Sequence, residues 1–279
     1  MERLPSPSEI LRQHQLRAKH SWGQNFLRDE ATLERIVEAI GPVAGEPVVE
    51  LGAGLGHLTS ALLNAGAQVT AVERDRDLVG LLEQWHHQRL RVVAANAATL
   101  DFAKAAGAPR VAVVGNLPFH LTSPILFQVL AQRASISRAV FTVQKEVAHR
   151  LAAPPGGRDY GILSVRLGLH YQVENVLLLP ATLFYPPPKV DAALVRLIPL
   201  PEPRARIASE ASFQRLVKAA FGQRRKTLLN SLKAGGAGPS AELEQALAKA
   251  GINGTRRAET LSVEEFAALD LALAKDNRP

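Results

Sequence analysis

The segment GNLPF, Gly115 to Phe119, ends an apolar run, RVAVV, on an amide, a residue without a backbone N–H and an aromatic ring. Those types at that spacing suit the capture of a planar amine. The side-chain carbonyl of Asn116 and the main-chain carbonyl of Leu117 are two acceptors for its two N–H groups. Pro118 stiffens the turn and brings no competing donor. Phe119 offers a face on which an extruded base can stack, an interaction worth roughly 1–3 kcal/mol. Acceptors drawing on both N–H groups of adenine's exocyclic amine would localise the nitrogen lone pair. That gain is realised mainly in the transition state of a reaction in which the nitrogen is the nucleophile, and no carboxylate base is required. Asn and Pro also close ordinary strand ends, so the segment takes its meaning from a second motif upstream.

That motif is VVELGAGLGHLT, Val48 to Thr59. It follows an apolar strand and opens a helix, the context in which glycines let the backbone approach a ligand. Gly52, Gly54 and Gly56 are spaced G-x-G-x-G, whereas a dinucleotide fingerprint has its third glycine one position later, where this chain has His57. The spacing disfavours a pyrophosphate and an NAD-dependent dehydrogenase. Preceded by Glu50, the loop resembles the first motif of S-adenosylmethionine-dependent methyltransferases. Glu73, at the end of the following strand, is placed to accept from both ribose hydroxyls, and Asn96, one strand further on, to meet the cofactor's adenine edge.

Periodicity supplies the elements that must hold these groups. A basic, mobile lead-in is expected before the helix DEATLERIVEAIG, with Asp29 as N-cap, Leu33, Ile36, Val37 and Ile40 on one face, and Gly41 closing it. Strands PVVEL, QVTAVE, RVVAA and RVAVVG then alternate with helices HLTSALLNAG and DRDLVGLLEQW. Ser123 as N-cap and Pro124 at the first helical position open PILFQVLAQ. The alternation predicts an α/β fold, a parallel sheet with helices on both faces and ligands beyond the carboxyl ends of the strands. LAAPPGGRDYG interrupts helix as a loop, and LHYQVENVLLLP and KVDAALVRLIPL read as later antiparallel strands, with Pro186 to Pro188 stiffening the chain between them. Beyond IPLPEPRAR the texture is wholly helical. The expected domains are therefore residues 1–200, carrying the ligand site, and a small all-helical unit, 201–279.

Composition narrows the function classes. With 279 residues, 47% of them hydrophobic, there is material for one large core and a smaller second one. Lys and Arg exceed Asp and Glu by 33 to 26, which favours a polyanionic partner. The absence of cysteine removes disulfides, thiol nucleophiles and thiolate metal sites, and the eight histidines lack ligand spacing, so no metal is expected. No stretch has the length and apolarity of a membrane span or signal peptide, and a cytoplasmic location without membrane association is expected.

Six ordered segments carry a resemblance to a known family. They are GQNFL (Gly23 to Leu27), VELGAGLGHLT, GNLPF, VQKEVAHRL (Val143 to Leu151), FYPPPKVDAALVRL (Phe184 to Leu197) and AFGQRRKTLLNSL (Ala220 to Leu232). In these the chain is similar to the ribosomal RNA adenine dimethyltransferases, the bacterial kasugamycin-resistance methyltransferases and their relatives. The resemblance implies a Rossmann-like class I methyltransferase domain and S-adenosyl-L-methionine as cofactor. It implies cofactor contacts at Asn25, Leu27, Gly52, Glu73, Asn96 and Asn116, with Gly54 in the same loop. The implied substrate is a pair of adjacent adenosines near the 3′ end of small-subunit (16S) rRNA in the maturing 30S subunit, and a monomer is expected. Four positions, in three places, depart from the family pattern. Asn96 replaces the usual aspartate and so carries no charge, Phe119 replaces the commoner tyrosine, and Ser21-Trp22 replaces Arg-Phe.

Between Ala211 and Ala241 six basic residues, Arg215, Lys218, Arg224, Arg225, Lys226 and Lys233, stand with no acidic one. A charge run is commonly just a solvated face, but beside a base-modifying site it reads as a phosphate-facing RNA-binding stripe. Arg12, Arg17 and Lys19 form a candidate second contact. Two rival functions share these motifs: the antibiotic-resistance methyltransferase of large-subunit rRNA, and a ribosome assembly factor that acts by binding alone.

Overall fold

The computed structural model describes residues 4–223 and 225–276. The chain divides into two compact units. One comprises the residues up to Ala148 together with Glu174–Pro199, and the other His149–Val173 together with the residues from Leu200 on.

The first unit begins with structure where a mobile lead-in was expected. Helix α1 (Pro7–Gln13) has a reciprocal capping box between Ser6 and Glu9, and its Ile10 and Leu11 are buried against Phe26, Leu55 and Leu78. Two apolar residues on one short turn give little periodic signal, and the surface they cover lies far off in sequence. The chain then makes the short strand β1 (Phe26–Leu27) and helix α2 (Glu30–Ile40), capped by the Asp29 carboxylate on the Thr32 N–H and ended at Gly41. Leu33, Ile36 and Ile40 bury as the helical period requires, and Val37 packs at the edge of the same cluster.

Next come β2 (Pro47–Leu51), α3 (His57–Asn64), β3 (Gln68–Glu73), α4 (Arg76–Glu83), β4 (Leu90–Ala94), α5 (Phe102–Ala106), β5 (Val111–Asn116), α6 (Thr122–Ala131) and β6 (Ile136–Gln144). Asp75 and Asp101 cap α4 and α5 through backbone N–H groups of their first turns. Helix α6 departs from expectation. A 3₁₀ turn over Phe119–Leu121 feeds directly into it, so Leu121 occupies the cap position and Ser123 and Pro124 lie inside the first turn. Proline is tolerated there because first-turn N–H groups have no intrahelical acceptor.

After α7 (Lys145–Leu151) and α8 (Ile162–His170), β7 (Tyr171–Leu179), the two-residue β8 (Phe184–Tyr185) and β9 (Ala192–Pro199) complete the strands. The main sheet has the order β4-β3-β2-β5-β6-β9-β7. Pairing is parallel from β4 through β6, and β9 joins β6 antiparallel. The central strands are buried on both faces, which is why they read as continuous apolar runs rather than alternations. The strand order reverses at β2, flanked by β3 and β5, so the carboxyl ends of β2 and β5 frame the switch point where such sheets hold ligands. A separate ladder pairs Phe26 with Tyr185 and Leu27 with Phe184, joining GQNFL to FYPPP within this unit.

The second unit contains α9 (Glu210–Ala220), α10 (Leu228–Ala234), α11 (Ser240–Lys249) and α12 (Val263–Asp276). Its core joins Phe213, Leu216, Leu228, Leu232, Leu247 and Phe266 to Tyr160, Val165 and Leu169. A single cut at residue 200 therefore misplaces residues 149–173: α8 has apolar side chains that bury among the C-terminal helices, a partnership set by tertiary packing that no local pattern announces.

Candidate active site

All ten residues expected at a cofactor or amine site in the first unit line one cavity of about 260 Å³: Asn25, Leu27, Gly52, Gly54, Glu73, Asn96 and Asn116 through Phe119. The topology brings them together. The glycine loop leaves β2 and the GNLPF turn leaves β5, adjacent strands with Glu50 opposite Val114.

Two glycines show why. Gly52 has φ of 74°, a left-handed conformation that L side chains rarely adopt. A Cβ on Gly115 would lie 2.4 Å from the Leu51 carbonyl oxygen, so only glycine lets β5 close onto the end of β2. The N-terminal arm forms another wall. Phe26 packs against Gly54, and Gly23 lies beside Pro118 and His120. Lys19 Nζ bonds Asp75 at 2.6 Å and Asp77 at 2.8 Å, while Gln24 Nε2 donates to Asp75 Oδ2 at 2.8 Å. Burial pushes the Asp75 carboxyl up, but the bonds from Lys19 and Gln24 hold it below its ordinary value. The exposed Trp22 ring has Lys19 Nζ and Arg74 Cζ each 5.3 Å from its centroid.

The Asn116 amide is oriented by the arm: its Nδ2 donates to the main-chain carbonyl of Asn25 at 2.7 Å, leaving Oδ1 as the acceptor end. The Leu117 N–H donates to the Thr142 carbonyl at 3.1 Å and its side chain is buried, so this stretch of backbone is fixed. Glu73 accepts from Gly54 N–H at 2.9 Å through one oxygen, and from Arg74 and Asp75 N–H at 2.7 and 2.9 Å through the other. With three of roughly four lone-pair positions engaged, less acceptor capacity is left for a ribose than a free carboxylate would give. Asn96 Oδ1 accepts from its neighbour Ala98 N–H at 3.1 Å, which makes the amide nitrogen its uncommitted end.

Sequence reasoning gave no role to Glu50, although an acid inside a buried apolar strand is itself a signal. Its side chain is 1% exposed and accepts from Thr59 Oγ1 at 2.5 Å. Burial, with the nearby Glu73 adding to it, pushes its pKa up to about 8. Also lining the cavity is His57, whose Nε2 bonds the Pro5 carbonyl and whose pKa burial lowers, so it is a neutral N–H donor. The cavity thus offers two buried carboxyl groups, four side-chain amides and a glycine turn, a donor set that fits a cationic, hydrogen-bonding ligand. Among the described residues no group of three or more His, Asp or Glu is placed to hold a metal ion. No helix among them is long and apolar enough to cross a membrane.

In the second unit Arg215 and Lys218 lie exposed on α9, and Arg225 and Lys226 exposed between α9 and α10. Lys233, in the last turn of α10, is 3.3 Å from Glu244 of α11, so the fold brings an acid to a run that has none in sequence. Arg224 lies outside the described residues. In the first unit Arg12 and Arg17 are exposed, but the Lys19 ammonium is engaged by Asp75 and Asp77, which removes it as a free phosphate contact.

Known proteins resemble this chain over most of its length. Residues 15–275 match the profile of a family described as ribosomal RNA adenine dimethylase. Among curated proteins, the "Ribosomal RNA small subunit methyltransferase A" of Myxococcus xanthus is 61% identical over 97% of this chain and 96% of its own length. That of Geobacter sulfurreducens is 41% identical over 92% and 96%. A dimethyladenosine transferase from Plasmodium falciparum has the same fold, with a TM-score of 0.75, 24% identity and 90% and 98% of the two chains covered. The 23S rRNA methyltransferase ErmE superposes with a TM-score of 0.66 at 30% identity, covering 90% and 100%.

Proposed function

Because the chain belongs to the ribosomal RNA adenine dimethylase family and is an S-adenosylmethionine-dependent methyltransferase, we propose that it dimethylates the exocyclic amines of two adjacent adenosines near the 3′ end of small-subunit rRNA, acting in the cytoplasm as a monomer on the maturing 30S subunit. The small-subunit choice is supported by the curated relatives, which at 61%, 52% and 41% identity are all small-subunit methyltransferases. The 30% likeness to a large-subunit enzyme keeps large-subunit RNA as the reading to be tested against it.

Bound S-adenosylmethionine supplies a sulfonium methyl group for in-line transfer. The residues assigned to hold it are Gly52 and Gly54 with their loop backbone, Glu73 and Asn96 at the ends of successive strands, and Asn25 and Leu27 from the arm. The observation that carries the amine chemistry is the bond from Asn116 Nδ2 to the Asn25 carbonyl. It sets the amide so that Oδ1 accepts one N–H of the target adenine, while the Leu117 carbonyl, on backbone anchored to Thr142, accepts the other. Phe119 stacks on the flipped base, and its lack of a hydroxyl costs the reaction nothing because stacking needs only the ring face. With the cofactor bound, these residues would hold the amine nitrogen toward the methyl group it supplies, and the proton lost from the amine would pass to solvent. Since the acceptors are preorganised before the base arrives, they act mainly in the transition state. In the second unit Arg215, Lys218, Arg224, Arg225, Lys226 and Lys233 are assigned to phosphate contacts, with Lys233 the weakest because of Glu244.

Primer extension on purified, unmodified small and large subunits treated with protein and cofactor tests the proposal. Dimethylated adenines block the polymerase, so two adjacent stops near the 3′ end of small-subunit RNA are expected. Stops confined to large-subunit RNA would overturn it.

A further inference from the structure

Glu50 is the one buried carboxyl of the cavity that the chemistry above leaves unused. It sits within β2 just before the glycine loop, lines the cavity, and is hydrogen-bonded by one uncharged residue, Thr59, through its hydroxyl and its main chain. None of the charged and titratable groups around the cavity supplies it with a counter-charge. Glu73, from β3, is an acid and acts against its ionisation. His57, from α3, is a neutral donor committed to Pro5. Lys19, from the arm, is held by Asp75 and Asp77. Arg74 and His120 line the same cavity, but neither bonds Glu50. Burial therefore keeps the carboxyl protonated near neutrality, with a pKa of about 8. A positive charge entering the cavity supplies the missing counter-ion. The methyl donor carries such a charge on sulfur, in addition to the α-ammonium it shares with the demethylated product, whose thioether sulfur is uncharged.

We propose that Glu50 is a proton-linked selector between donor and spent cofactor: it releases its proton when the sulfonium form enters the cavity and takes one back once only the thioether remains. The inference rests on the reading that the cofactor occupies this cavity. Proton balance is simple, one proton passing from the Glu50 carboxyl to solvent on donor binding and one returning after methyl transfer. Because the α-ammonium is common to both ligands and the product sulfur is uncharged, only the donor adds a charge that favours ionised Glu50, so donor affinity rises with pH more steeply than product affinity. The protein then discharges product in favour of donor most strongly on the alkaline side.

Isothermal titration of each ligand, S-adenosylmethionine and S-adenosylhomocysteine, into the full chain tests this without any turnover. Running it in phosphate and in Tris, whose protonation heats differ, counts the protons released. The native protein is expected to release close to one proton per donor bound at neutral pH and markedly fewer per product. The ratio of product to donor Kd should climb by up to about tenfold per pH unit below pH 8 and level off above it. Glu50→Gln should abolish donor-specific release and flatten the ratio. Thr59→Val, which removes the bond that favours the ionised form, should move the inflection to higher pH. Equal proton release with both ligands, or none with either, overturns the selector, and so does unchanged release in Glu50→Gln. Should Glu73→Gln leave both affinities unaltered, the cofactor reading of the cavity fails instead; if Glu73→Gln weakens both ligands while proton release is equal for the two, the selector alone fails.

Discussion

Replacing Gly115 by alanine tests whether donor loop and amine clamp must meet at fixed distance. The added Cβ would stand 2.4 Å from the Leu51 carbonyl oxygen, about 1 Å inside ordinary contact, and what it meets is backbone at the end of β2, not a flexible side chain. The parallel ladder of β2 and β5 is registered up to Glu50 and Val114, so the strain is relieved at the next residues, where Gly52 and Asn116 diverge into their loops. A separation of that order between acceptor group and donor costs about 100-fold in rate when the reacting geometry must be held, while overpacking costs only about 1–3 kcal/mol of stability. Single-turnover methyl transfer from labelled cofactor to small subunits, with urea unfolding alongside, should show the rate falling about 100-fold in a protein that still folds. Gly80→Ala is the control: Gly80 lies in α4 with open space where the alanine methyl would go, so stability should rise by about 0.5–1 kcal/mol and activity should not change. A folded Gly115→Ala protein with near-native turnover would refute the reasoning.

Glu50 gives a stability prediction with a definite sign. Its folded pKa, about 8, lies above its ordinary 4.5, so the folded state binds more protons between those values and stability falls as pH rises through that window. Glu50→Gln should abolish the fall and melt higher than the native protein at alkaline pH, by an amount worth on the order of a few kcal/mol; parallel pH profiles of Tm for the two proteins would contradict this. Phe119→Ala should weaken binding or raise KM for RNA by roughly 1–3 kcal/mol while Phe119→Tyr preserves it, as measured by filter binding and steady-state kinetics. Charge reversal at Arg224 and Arg225 should weaken RNA binding uniformly and reduce the salt slope by roughly one unit for each phosphate no longer neutralised; an unchanged slope takes those residues out of the interface.

What could be read in the sequence follows from what is local. The alternation of apolar runs with amphipathic stretches marks β2 to β5 and the helices α3, α4 and α6, because strands buried on both faces must be apolar throughout, while α5 and β6 escaped it; the GAGLG and GNLPF motifs are contiguous. Strand order at the switch point then brings their residues to one cavity. The features that escaped depend on distant partners. The arm's α1 is fixed by burial of Ile10 and Leu11 beneath Phe26, Leu55 and Leu78. Residues 149–173 bury Val165 and Leu169 among helices that follow much later. The Asn25 carbonyl that sets the Asn116 amide is a main-chain atom, 91 positions away, which no residue type encodes. Likewise the Lys233–Glu244 pair is invisible in a charge run that ends before the acid.

The central claim is that the Asn116 carbonyl oxygen, held by the arm, acts on the amine in the transition state and not on binding. The most direct test is Asn116→Ala, measuring the single-turnover rate of methyl transfer together with Kd for cofactor and for small subunits. A rate lower by about 100- to 1000-fold, with RNA affinity kept, is the predicted result. Turnover within a few-fold of native, or a loss accounted for wholly by failed binding, would contradict it.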